Sequence, residues 1–145
     1  MYRKYKVLLW ILFVGWTLMI FARSMQTAQA STEESTVVLE LLQRVFAVDL
    51  TENQVRKMAH FAEFAVLGAL AQLAFGGFIK TRKAGVAFSV VAGLVIALCD
   101  ETVQLFVEGR SGEVKDVWLD LLGAITGALV LFAIRVLWGR KRPNP

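Results

Sequence analysis

The sequence predicts an all-α protein, a bundle of four transmembrane helices with a short amphipathic extracytoplasmic helix between the first two spans. Of its 145 residues, 57% are hydrophobic, more than the roughly 45–50% of a typical soluble domain. The mean hydropathy is +0.57, and the apolar residues lie in long blocks bounded by charges. Such blocks indicate helices that cross a bilayer, and the length suits a single domain over residues 1–145.

The first predicted span covers residues 5–22 and follows a basic segment. It is close to the lower limit of about 17 residues for a helix that crosses a bilayer. A basic segment, an apolar block and the small-residue motif Ala28-Gln29-Ala30 also fit a cleaved secretory signal peptide. Arg23 and the polar stretch between it and that motif favour an uncleaved helix, and cleavage stays the alternative.

Residues 31–56 are predicted to contain the amphipathic helix. Ser31 and Glu34 have the spacing of a capping box, as do Thr51 and Gln54. This helix lies either on the membrane surface or over neighbouring helices. Between the two boxes, an apolar stripe recurs at i, i+3 and i+4: Val37, Val38, Leu41, Leu42, Val45 and Phe46.

The remaining predicted spans cover residues 57–79, 84–107 and 116–138. Basic residues cluster at the N-terminus, at 80–83 and at 135–142, and none of these segments contains an acidic residue. Short loops rich in lysine and arginine stay in the cytoplasm. Four spans with both termini cytoplasmic satisfy this rule, and removal of the first block would leave the orientation unchanged.

Polar side chains near the outer ends of the last three spans form the predicted ligand site. A charge at the centre of a span costs roughly 2.5–3.5 kcal/mol on insertion scales, so its presence favours a function. Residues spaced by three share one broad face of a helix, and at about 1.5 Å per residue the three spans place polar groups at similar depth. Buried ion pairs that only fix helix packing are the alternative. The predicted set is Lys57, His60, Glu63, Glu101, Gln104, Arg110, Asp116 and Asp120.

The counts of cysteine and histidine limit the chemistry of this site. Cys99 is the one cysteine and His60 the one histidine, which excludes an internal disulfide and any multi-cysteine or multi-histidine metal site. We therefore expect no metal and no cofactor. The net charge of +4 is dispersed among apolar blocks, a pattern that indicates a lipid surface as partner and not nucleic acid.

Gly123 and Gly127 form a G-x-x-x-G pattern below Asp120 on the fourth span. Small residues at this spacing let two helix backbones approach closely. The pattern predicts close packing of the fourth span at the depth of the pocket, and a homo-oligomer through the same face is a further expectation.

Four short motifs occur in order along the last three spans: Lys57-x-x-His60-Phe61-x-Glu63-Phe64, Glu101-x-x-Gln104-x-Phe106, Gly109-Arg110 and Asp116-x-x-x-Asp120-x-x-Gly123-x-x-x-Gly127. Over residues 57–138 their order and spacing resemble the VanZ-like family of small bacterial membrane proteins. The resemblance implies a four-helix protein of the bacterial cytoplasmic membrane, in a family of which some members are linked to lowered susceptibility to teicoplanin and related lipoglycopeptides. Asp120 stands where the family usually has asparagine, and Glu108 where proline is common.

The expected function is binding of an amphiphilic anionic ligand at the outer leaflet, a lipid-linked envelope precursor or a lipoglycopeptide. Lys57 and Arg110 would receive the anionic head group, and the apolar helices would hold the tail. His60, Glu63 and Glu101 would supply hydrogen bonds or proton transfer, and they are the catalytic candidates if the protein is an enzyme.

Two alternatives belong to other functional classes. The first is a hydrolase or transferase that acts on a lipid-linked precursor, with the carboxylates at 63, 101, 116 and 120 as oxygen ligands for a divalent metal. The second is a non-catalytic scaffold that assembles through Gly123 and Gly127.

Overall fold

The computed structural model describes residues 2–46, 49–76, 79 and 81–140. Within these residues there are five helices and no strand: α1 Tyr2–Ser24, α2 Ala28–Phe46, α3 Glu52–Phe75, α4 Arg82–Gln104 and α5 Val114–Arg140. Helices α1, α3, α4 and α5 are each long and apolar enough to cross a membrane. The predicted fold class is therefore confirmed. Of the predicted basic segments, Lys80, Lys141 and Arg142 lie outside the described residues.

Helix α3 begins earlier than its predicted span because of a capping box at Thr51. The Thr51 side chain accepts a hydrogen bond from the Gln54 amide at 3.3 Å, and the Gln54 side chain accepts one from the Thr51 amide at 2.8 Å. The capping box predicted at Ser31 is wrong, because α2 begins at Ala28 and Ser31 lies inside the helix. The spacing of Ser31 and Glu34 matches a cap by coincidence, and Glu34 instead pairs with Arg23.

Short connections set which helix ends share a side of the bundle. The Ala28 amide donates to the Glu108 carbonyl at 3.2 Å, so the start of α2 touches the loop that joins α4 and α5. The end of α3 and the start of α4 lie at the opposite end, with the start of α1 and the end of α5. Helix α3 contacts all four other helices, and side chains on it can therefore meet groups from every part of the described chain.

The glycines of α5 lie directly against α3. A Cβ added at Gly123 would lie 2.5 Å from the Phe61 carbonyl oxygen, and one at Gly127 would overlap the Ala65 carbonyl. On the facing helix, a Cβ at Gly68 would overlap the Ala124 carbonyl. The two backbones thus touch at this depth. Because α3 of the same chain covers this face, it leaves no free surface for the second copy that the sequence led us to expect there.

The amphipathic helix α2 turns its polar side to the bundle. Ser31 and Ser35 are buried where α2 packs on α3. Five of the six residues of the apolar stripe are exposed. Helix α2 thus lies over a neighbouring helix through its polar side, and its apolar side remains available to lipid at a membrane surface.

Candidate functional site

A polar pocket of about 190 Å³ opens at the end of the bundle where α3, α5 and the α4–α5 loop meet. Six of the eight predicted ligand residues line it. Glu63 and Asp120 do not; Glu63 follows His60 by three residues on α3, and Asp120 follows Asp116 by four on α5. The lining residues are Asn53, Arg56, Lys57, His60, Glu101, Gln104, Gly109, Arg110, Ser111, Glu113, Asp116 and Leu119.

Cationic side chains from α3 and from the α4–α5 loop lie around the pocket. Lys57 Nζ is 2.9 Å from Asp116 Oδ1, which joins the first turns of α3 and α5. Arg110 is half-buried, and its Nε has no hydrogen-bond partner among the described residues. Burial lowers the pKa of the Arg110 guanidinium from its ordinary value, and nearby Arg56 adds to this while Asp100 opposes it. Arginine stays protonated even so, and Arg110 therefore brings a fixed positive charge to the pocket.

The α4–α5 loop follows a tight path because of one hydrogen bond and one glycine. Glu101 Oε2 accepts a hydrogen bond from the Glu113 amide at 2.9 Å, which ties the end of the loop to α4. Gly109 has φ of 75°, a left-handed conformation that glycine adopts without strain. A Cβ at Gly109 would also come within 3.0 Å of the Ala28 side chain. The loop geometry thus places Arg110 over the pocket.

Beneath the pocket, three helices bring His60, Asp100 and Asp120 together. One ligand atom from each lies within 4.8 Å of the others, and His60 Nδ1 is 3.7 Å from Asp120 Oδ1. Both aspartates are 0% exposed. The Asp100 carboxylate accepts hydrogen bonds from Ser24 Oγ and from Gln104 Nε2, the latter at 2.9 Å. The predicted set omits Asp100, although its i, i+4 spacing to Gln104 is visible in the sequence.

Glu63 is held by the first helix. Arg23, at the end of α1, forms an ion pair with Glu63 and a second pair with Glu34 at 3.2 Å. The indole of Trp16 donates to the Glu63 carbonyl at 2.9 Å. In the sequence Arg23 favours an uncleaved first helix over a signal peptide, and its pairing with Glu63 becomes visible only in the fold.

An apolar groove of about 620 Å³ runs between α2 and α3 beside the polar pocket. A small cavity of about 20 Å³ connects their linings: it shares Arg56, His60 and Arg110 with the pocket, and Arg23, Ser35 and Ala59 with the groove. The site is therefore polar at one end and apolar at the other. The groove is lined by Arg23, Glu34, Ser35, Val37, Val38, Leu42, Val55, Met58 and Ala59.

Comparison with known proteins identifies a family. A family model described as VanZ/LLP1 matches residues 9–136. No curated protein and no solved structure matches the chain.

Proposed function

Because the chain belongs to the VanZ-like family, we propose that it is a membrane protein of the bacterial cell envelope that binds an anionic amphiphile from the outer leaflet. The head group occupies the polar pocket, and the acyl chain occupies the groove between α2 and α3. The observation that carries this proposal is the shared lining of the pocket, the small cavity and the groove. A ligand site of this kind suits a molecule with one charged end and one apolar end.

The guanidinium groups of the pocket, and not its net charge, support an anionic head group. Two of the three acidic residues in the lining have partners within the chain: Asp116 pairs with Lys57, and Glu101 Oε2 accepts a hydrogen bond from the Glu113 amide. The guanidinium of Arg110 and that of Arg56, which donates to Asn53 at 3.0 Å, remain to meet a ligand. Arginine binds phosphate and carboxylate through paired hydrogen bonds, so the head group carries one of these two groups.

The groove favours a ligand that enters from the membrane. Its walls are mostly apolar, and the exposed apolar stripe of α2 lies beside it. In the proposed orientation, with both termini cytoplasmic in the cytoplasmic membrane, α2 lies at the outer interface, where the groove is open to lipid tails. The basic segments at the opposite end of the bundle support this orientation.

Replacing Arg110 by alanine should weaken the binding of an anionic lipid by about tenfold, since a hydrogen bond to a charged group contributes about 1.5–3 kcal/mol. The test is native mass spectrometry of the full-length protein in detergent with dioleoyl phosphatidic acid, compared with dioleoyl phosphatidylcholine. Both lipids carry the same tails. Wild type should retain phosphatidic acid preferentially, and Arg110→Ala should lose this preference.

Arg44→Ala is the matched control, because Arg44 lies exposed on α2 outside the pocket. Equal retention of phosphatidic acid by Arg110→Ala and wild type would refute the proposed site. The same spectra test the enzyme alternative, for which the placement of His60 beside Asp120 is the supporting geometry. Conversion of bound phosphatidic acid to diacylglycerol would identify a hydrolase instead of a binding protein.

Teicoplanin susceptibility tests whether the resistance role seen in some family members extends to this chain. A Gram-positive host that expresses wild type should tolerate several-fold more teicoplanin than the empty host, and Arg110→Ala should abolish the gain at a matched membrane level. His60→Ala and Glu101→Gln should do the same, and Arg44→Ala should protect like wild type. Protection by all three pocket variants would show that the pocket has no part in resistance.

A further inference from the structure

We propose that His60, Asp100 and Asp120 form a binding site for a divalent transition-metal cation, of the class of Zn²⁺ or Mn²⁺, below the floor of the polar pocket. The three side chains come from α3, α4 and α5, and one ligand atom of each lies within 4.8 Å of the other two. Two of the three residues are fully buried. The bound cation would thus be surrounded by buried side chains, and its ligands would link three helices.

The Asp120 carboxylate is the observation that calls for a cation. It is fully buried, and neither of its oxygens accepts a hydrogen bond from the described residues. Its nearest basic group is His60 Nδ1, at 3.7 Å. A buried carboxylate costs several kcal/mol unless a partner compensates it. When both aspartates are ionised, a protonated His60 balances only one of them, whereas a divalent cation balances both.

The neighbouring contacts suit a metal ligand at Asp100. Ser24 Oγ donates to Oδ1 and Gln104 Nε2 donates to Oδ2, and each carboxylate oxygen keeps a lone pair for a further bond. Hydrogen bonds of this kind fix the orientation of metal-ligating carboxylates in known sites. The polar groups around Asp100 therefore fix its orientation and leave one lone pair on each carboxylate oxygen free to bind a metal.

The donor set indicates the class of metal. One imidazole nitrogen and two carboxylate oxygens suit zinc, manganese or iron, whereas calcium and magnesium prefer oxygen ligands alone. Ligands about 2.1 Å from one tetrahedral zinc ion lie about 3.4 Å apart. From a separation of up to 4.8 Å, metal binding therefore requires the side chains to close by about 1.4 Å.

Three protein ligands leave coordination positions open. His60 lines the polar pocket as well as this cluster, and an open position on that side would face the head group proposed above.

The sequence analysis predicted no metal site. Its enzyme alternative named four carboxylates as possible metal ligands, and of these only Asp120 belongs to the present cluster. The three residues lie far apart along the chain and match no compact metal motif.

Metal content of the purified full-length protein in detergent tests the site. The protein is stripped with EDTA, dialysed with Zn²⁺ or Mn²⁺, freed of unbound metal and measured by inductively coupled plasma mass spectrometry. Wild type should retain one equivalent of one of these metals, and Asp120→Asn and Asp100→Asn should each bind at least tenfold more weakly. Glu108→Gln, which removes an exposed carboxylate from the same end of the bundle, should bind like wild type.

Loss of metal from a variant could also result from misfolding, and a variant that gains a spectroscopic signal avoids this ambiguity. His60→Cys in a Cys99→Ser background places a thiolate at the site, and bound Co²⁺ should then show a thiolate charge-transfer band that Cys99→Ser alone lacks. Adding Asp120→Asn should remove the band. Wild type that retains no metal, unchanged binding in both asparagine variants, or the absence of this band would each overturn the proposal. No lipid is present in these measurements, so a negative result for metal binding would leave the proposed lipid site unaffected. A negative result for lipid binding would likewise leave the proposed metal site unaffected.

Discussion

Replacing Gly127 by leucine should separate α3 from α5 and markedly lower the thermal stability of the folded protein. Even one added carbon at this position overlaps the Ala65 carbonyl of α3. A side-chain tip can rotate away from a clash, but a carbonyl fixed within a helix cannot move without displacing the helix. Overpacking a well-packed interior costs about 1–3 kcal/mol, occasionally more. Because Gly127→Leu clashes with backbone, its loss of stability should lie at or above the upper end of that range.

The measurement is thermal unfolding of the purified protein in detergent, followed by size-exclusion chromatography. A loss of about 3 kcal/mol corresponds to a Tm lower by roughly 10 °C for a chain of this size. Gly15→Leu is the matched control, because a Cβ at Gly15 on α1 meets nothing within 4 Å. The same substitution in another span should therefore leave Tm nearly unchanged. If Gly127→Leu unfolds at the temperature of wild type, the close approach of α3 and α5 is wrong.

The spans and the glycine pattern could be predicted from the sequence because each depends on local information. Twenty or so consecutive apolar residues identify a span without knowledge of its neighbours. Gly123 and Gly127 predict a close approach by their spacing alone. The sequence did not identify the partner, however, and the structure places α3 of the same chain there.

The composition of the site could be predicted only in part, because its remaining members depend on which helices meet. Lys57, His60 and Glu63 share a face by their spacing, which is a property of one helix. Arg23, Ser24 and Asp100 join the site through contacts between helices that are distant in sequence. The i, i+4 spacing of Asp100 and Gln104 is visible within one helix, but no periodicity within one segment encodes the contacts of Asp100 with Ser24 or of Arg23 with Glu63.

The start of α2 shows the same limit at a helix end. Two segments had the spacing of a capping box, and only the one at Thr51 forms one. Ser31 lies within α2, where it is buried against the bundle. Capping residues identify where a helix is able to begin, but tertiary contacts decide whether it begins earlier.

Removing the charge of Arg23 should destabilise the bundle by about 2 kcal/mol. Arg23→Met leaves the carboxylate of Glu63, whose side chain is only 10% exposed, without its cation. Loss of one partner of a fully buried pair costs roughly 3–5 kcal/mol. We expect the smaller loss of about 2 kcal/mol here because the Arg23 side chain is 43% exposed. The uncompensated charge at Glu63 is the source of this cost, and Glu63→Gln should therefore rescue Arg23→Met.

A double-mutant cycle measured by unfolding in mixed micelles separates charge from packing. The double variant should be nearly as stable as Glu63→Gln alone, because the Arg23–Glu34 pair that it also loses is exposed and contributes little. Arg44→Met with Glu40→Gln is the matched cycle, an exposed pair on α2 at 3.8 Å whose coupling should be only about 0.3–0.5 kcal/mol. A double variant as unstable as Arg23→Met would mean that the arginine stabilises α1 by its packing, and that Glu63 tolerates burial without a cation. The pairing of α1 with α3 at the site would then rest on Trp16 and the apolar core, and not on charge.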